Sequence, residues 1–115
     1  MDFFMNVYDT VNKLAEEIKQ SEEYINFKTA KQAINLEPEY KIKIAELEKV
    51  RYEEQINSIK TGKSDETKMA EIQNLYKELI EIPEVKKYFD AEFKFNILLG
   101  DVNKIISEAV KDVIS

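Results

Sequence analysis

The chain contains no cysteine, which excludes a disulfide framework and any cysteine-ligated zinc or iron-sulfur site built from its own residues. It contains no histidine either, so the commonest general base and metal ligand is missing and only carboxylates, lysines and hydroxyls are left for chemistry. Two glycines, two prolines and no tryptophan leave too few turn-formers for a many-stranded sheet. No apolar run approaches the length needed to cross a bilayer, and Met1-Asp2-Phe3-Phe4-Met5-Asn6 lacks the basic start of a signal peptide. A cytoplasmic protein without membrane insertion is therefore expected.

What is present favours helices. The 115 residues are 43% hydrophobic and 35% charged, rich in Glu, Lys, Leu and Ile, a length and composition that fit one all-α domain over residues 1–115 with a modest core. The formal net charge of -6 repels phosphate backbones, so nucleic-acid binding would need a locally basic face. The basic residues of the middle segment, Lys41, Lys43, Lys49 and Arg51, are interleaved with Glu37, Glu39, Glu46, Glu48, Glu53 and Glu54, the pattern of a solvated face laced with ion pairs. Direct nucleic-acid binding is not expected.

The apolar spacing predicts about five helices. Asp2 caps a first one carrying Phe4, Val7, Val11, Leu14 and Ile18 at steps of three and four, ending near Gln20. Ser21 caps a second, with Glu22 and Glu23 in its first turn and Tyr24, Phe27, Ala30 and Ile34 on its inner face. Pro38 opens a third that runs towards Lys60, with Tyr40, Ile44 and Leu47 on one stripe and Tyr52, Ile56 and Ile59 on another. Arg51 and Glu54 interrupt the seam between the two stripes, which predicts that the far half packs on a hairpin partner or on another subunit. Thr61 to Thr67, centred on Gly62 and Ser64-Asp65, is the strongest loop signal, and a fourth helix with Met69, Ile72, Tyr76 and Leu79 returns along the third. From Pro83 a long C-terminal helix follows, with Phe95, Leu98, Val102, Ile105, Ala109 and Val113 on one line and Leu99, Ile106 and Val110 beside it. Gly100 interrupts that helix at a cost of about 1 kcal/mol relative to alanine, which predicts a kink or, preferably, a close helix crossing.

One phrase is written twice, sixty-one positions apart. Leu14, Ile18, Ser21, Glu23, Phe27 and Ala30 correspond to Leu75, Leu79, Ile82, Glu84, Tyr88 and Ala91. The junction at Glu37-Pro38 fits no common period with these two, so shared helix punctuation explains the match better than duplication.

No constellation of catalytic residues emerges. Glu92, between Ala91 and Phe93, is the carboxylate expected to be partly buried, and a bond to a basic or tyrosine side chain explains it better than ligation or acid catalysis. A helix-borne di-metal site normally needs Glu-x-x-His pairs, which this chain lacks. Phe27, Phe93 and Phe95 stand among aliphatic neighbours, as core or interface residues do, and Tyr52 stands apart near a polar stretch.

Taken together, these features resemble the YlbF/YmcA family of small bacterial helical proteins, the control-of-competence regulator domain, and within it the cysteine-free YheA-like branch. The resemblance rests on Val7-Tyr8-Asp9, on Ser21-Glu22-Glu23-Tyr24, on the Pro-Glu start of the third helix, on the Gly62 loop, and on Ala91-Glu92-Phe93 followed by Leu98-Leu99-Gly100-Asp101-Val102-Asn103-Lys104-Ile105-Ile106. It implies an all-helical protein that forms dimers or higher homo-oligomers and has no known catalytic residues. Better-studied relatives act in multiprotein complexes that influence competence, sporulation and biofilm development and help direct messenger RNA processing. Some carry cysteines that hold iron-sulfur clusters; that cofactor is not carried over to this chain.

The expectation is thus a non-enzymatic, cofactor-free adaptor, an oligomeric helical bundle that binds itself and an unidentified protein partner. Its candidate interface is Phe93, Phe95, Leu98, Leu99, Val102, Ile105, Ile106, Val110 and Val113, with Tyr52, Ile56 and Ile59. The alternative is an RNA-associated factor that contacts transcripts through Lys60, Lys63 and Lys68 at the hairpin tip.

Overall fold

A computed structural model describes residues 6–114, and among them every regular element is an α-helix. The helices are α1 (Val7–Lys19), α2 (Glu22–Asn35), α3 (Pro38–Thr61), α4 (Glu66–Leu79), α5 (Pro83–Ala109) and the short α6 (Lys111–Ile114). The expected Asp2 cap and Phe4 lie outside the described residues. Within them Asn6 caps α1, its side-chain oxygen accepting from the Tyr8 N–H at 2.9 Å.

Three helix starts share one backbone device. The N–H groups of Ser21, Glu37 and Ile82 each donate to the carbonyl three residues back, on Ile18, Ile34 and Leu79, at 3.0 Å. Their own carbonyls each accept the first helical bond of the next element, from Ile25 and Lys41 at 3.1 Å and from Lys86 at 3.0 Å. They differ in the side chain. Ser21 Oγ accepts from the Tyr24 N–H at 3.1 Å and donates to the Ile18 carbonyl, whereas Glu37 makes no side-chain cap and α3 and α5 instead open on Pro38 and Pro83. Proline suits that position because the N–H it lacks has no partner inside the helix.

Side chains pack in two units. The first is Ala30–Asp90, and it contains all nine side chains buried among the described residues. Ala30 and Ile34 come from α2, Ile44, Leu47, Val50 and Glu54 from α3, Leu79 from α4, and Val85 and Tyr88 from α5. Leu47, Leu79 and Val85 are almost wholly enclosed, and burying each contributes about 1.5–3 kcal/mol. The second unit joins the residues up to Thr29 to those from Ala91 onward. Its best-formed contact is aromatic. Phe95 meets Tyr24 edge-on at 5.9 Å and Phe27 at a tilt at 5.6 Å, separations at which such pairs attract.

Within the first unit α3 and α4 form an antiparallel hairpin, closed by Gly62 in the left-handed conformation, φ 72°, which glycine adopts without a Cβ clash. The connection, Gly62 to Asp65, is shorter than the loop signal indicated, because α3 continues through Thr61 and α4 starts at Glu66. The apparent interruption of the α3 seam has a different meaning from the one its polarity indicated. The buried line runs Ile44, Leu47, Val50 and Glu54, and both polar residues face α4. Arg51 lies over the Tyr76 ring at 5.6 Å, and Glu54 binds the Asp65 N–H at 3.0 Å. Tyr76 in turn stacks on Phe89 of α5 at 5.5 Å.

Candidate interaction surface

α5 carries one apolar stripe along its whole length. Tyr88 and Ile106 are eighteen residues apart, about five turns, and so share a helix azimuth. Tyr88 is 7% exposed and Ile106 is 52% exposed. Between them Phe95, Leu98, Leu99 and Val102 are half-buried, and beyond them Ile105, Val110 and Val113 are exposed. The stripe that closes the core at one end of α5 therefore runs out of cover toward the other.

Two expectations for this region are corrected. α5 is continuous through Gly100, and a Cβ built there would meet no heavy atom within 4 Å, so no close crossing occurs among the described residues. The pattern from Pro83 does not run as one helix to the end of the chain. α5 stops at Ala109, Val110 is a turn, and Val113 belongs to α6, where the Val113 N–H turns back to the Val110 carbonyl at 3.1 Å. A helix end with no buried side chain commonly tightens this way to satisfy its terminal carbonyls.

Phe93 lies off the main stripe and is 67% exposed. Together with Ile97 and Gly100 it forms a line at positions i, i+4 and i+7 on the other side of α5, and Ile97 is also exposed. That second line was legible from the spacing, but Ile97 is absent from the residues singled out on sequence grounds. On α1, Val7 and Val11 are exposed while Leu14 and Ile18 of the same stripe are half-buried. On α3, Tyr52 and Ile59 lie off the buried seam at 63% and 77% exposure, and Ile56 is half-buried.

The most buried carboxylate is Glu54, 6% exposed; Glu92 is half-buried. Its signal was the three-four spacing from Leu47 and Val50, masked by reading an acid as a break in the seam. The tip lysines do not form a uniformly basic face. Lys60 and Lys63 are exposed, but Lys68 pairs with Glu53 at 3.8 Å, and Asp65 and Glu66 stand between them in the chain. Among the described residues no group of three or more acidic side chains could hold a metal ion, and no helix is long and apolar enough to cross a membrane.

A fold made only of helices, with its chemistry confined to caps and surface ion pairs and with long apolar stripes left open, defines a helical protein whose conspicuous feature is surface rather than cleft. The chain belongs to the YlbF/YmcA family: the family described as "Control of competence regulator ComK, YlbF/YmcA" matches residues 7–111. Similar full-length relatives are UPF0342 proteins. That of Desulfitobacterium hafniense strain Y51 is 32% identical over 110 residues, covering 96% of this chain and 89% of the relative. That of Clostridium novyi strain NT is 33% identical over 108 residues, covering 94% and 95%. That of Symbiobacterium thermophilum is 33% identical over 104 residues, covering 90% and 93%. The family is one of regulators, and its breadth of coverage makes the whole chain a family member.

Proposed function

We propose that the protein is a non-enzymatic, cytoplasmic adaptor of bacterial regulation, which associates with itself through the open stripe of α5 and presents other helix faces to a protein partner. The observation that carries this reading is the contrast along α5: the stripe that buries Val85 and Tyr88 continues through Phe95, Leu98, Leu99 and Val102 into the exposed Ile105, Ile106 and Val110. Exposed apolar surface of this extent favours association, because covering it removes about 25 cal/mol per Å² of contact with water. A second copy is always at hand at the chain's own concentration, and self-association is the usual outcome for such a face. The family description supports a regulatory role in competence.

Sedimentation equilibrium tests the reading. A dimer or larger assembly at micromolar concentration is expected, and Ile106→Glu combined with Val110→Glu should return it to the monomer. A wild-type monomer over that range overturns the proposal.

A further inference from the structure

Glu54 is the one buried polar side chain among the described residues, and both of its oxygens are used at the hairpin tip. Oε1 accepts from the Asp65 N–H at 3.0 Å, eleven residues on, and Oε2 accepts a longer bond from Asn57 Nδ2 at 3.4 Å. The same Asn57 amide reaches the Lys63 carbonyl at 3.5 Å. Thr61 Oγ1 lies 2.8 Å from the Asn57 carbonyl and 3.0 Å from that of Lys63, and accepts from the Lys63 N–H at 3.2 Å. Asp65 is bonded on both sides, since its own carboxylate accepts from the Thr67 and Lys68 N–H groups and so caps α4. The connection is thus tied to the last two turns of α3 by side chains at 54, 57 and 61, and Asp65 passes that restraint to α4.

We infer that Glu54 is a latch that fixes the α3–α4 tip in one geometry, so that its removal frees residues 61–68 as a unit while the core of the first unit stays closed. A core position filled by packing alone would favour an apolar side chain, because a buried carboxylate is retained only where hydrogen bonds offset its desolvation. Here those bonds run to the tip. The latch keeps the exposed tip residues, among them Ile59, Lys60 and Lys63, in one arrangement whatever they contact.

Amide hydrogen exchange tests this residue by residue. Glu54→Gln keeps the shape and one acceptor oxygen but sets an NH2 group against Asn57 Nδ2, which is held in orientation by Lys63. Exchange at Asp65, Thr67 and Lys68 should rise about tenfold, with Leu47 and Val85 unchanged. Adding Asn57→Asp supplies an acceptor for that NH2 and should recover most of the protection. Asn57→Ala, which leaves the core untouched, should raise tip exchange about threefold. Unchanged tip exchange in Glu54→Gln and Asn57→Ala, or an equal rise at the tip and at Leu47, would overturn the assignment and leave Glu54 an ordinary core position.

Discussion

Residues 30–90 and the remainder of the chain use the same helix grammar and reach opposite outcomes. Both have amphipathic helices with apolar residues at steps of three and four, and both begin helices with the same reverse bond to the carbonyl three residues back. The first region encloses Leu47, Leu79 and Val85 almost completely. The second encloses no side chain among the described residues, although Val7, Val11, Ile105, Ile106 and Val110 are as apolar as anything in the core. An apolar stripe specifies that a face is to be covered and leaves open by what. Within the first region the cover is the chain itself, because the α3–α4 hairpin and the start of α5 bring three stripes together. In the second region α1 and the far part of α5 keep theirs open.

The largest effect expected from this contrast is in the core. Leu47→Ala should lower the unfolding free energy by about 2–5 kcal/mol, read as a shift in the urea midpoint at constant slope. A loss under 1 kcal/mol would mean that the core is not where stability resides. Next comes Ile106→Glu. Because Ile106 is half exposed, the isolated chain should change by less than about 0.5 kcal/mol, while self-association weakens at least tenfold by sedimentation. Equal damage to both quantities would make the two regions alike and break the comparison.

Smaller effects sharpen it at the junctions and on the far side of α5. Ser21→Ala removes the side-chain cap of α2 and should cost about 1 kcal/mol in thermal or chemical unfolding. Glu37→Ala should cost less, since Glu37 makes no cap bond and α3 relies on Pro38. Gly100→Ala is the subtlest. With open space at the Cβ position the helix should gain about 0.5–1 kcal/mol, and a loss would place a partner helix directly against that glycine.

The helices were legible because their stripes and punctuation are local. Ser21, Pro38, Gly62, Asp65 and Pro83 each act on their immediate neighbours, and each stands where its chemistry puts it. Arg51 and Glu54 were harder to read for the opposite reason. Their partners, Tyr76 and the Asp65 N–H, lie across the hairpin, so polarity alone looked like a break in the seam. Gly100 carries the same lesson, since the energetic penalty of a helical glycine is local but its reason depends on what approaches it. The candidate surface was visible in part. The spacing gave the α5 stripe from Phe95 to Val110, whereas the point at which the stripe loses its cover is set by the tertiary arrangement, and Val113 moved to a separate turn.

The comparison is tested most directly by measuring amide exchange in both regions as the protein is diluted. Association through the open stripe predicts protection along residues 95–109 at high micromolar concentration that falls as the concentration drops, while protection at residues 44–50 stays constant. Exchange along residues 95–109 that is independent of concentration would contradict the account, because the stripe would then stay uncovered in the working protein.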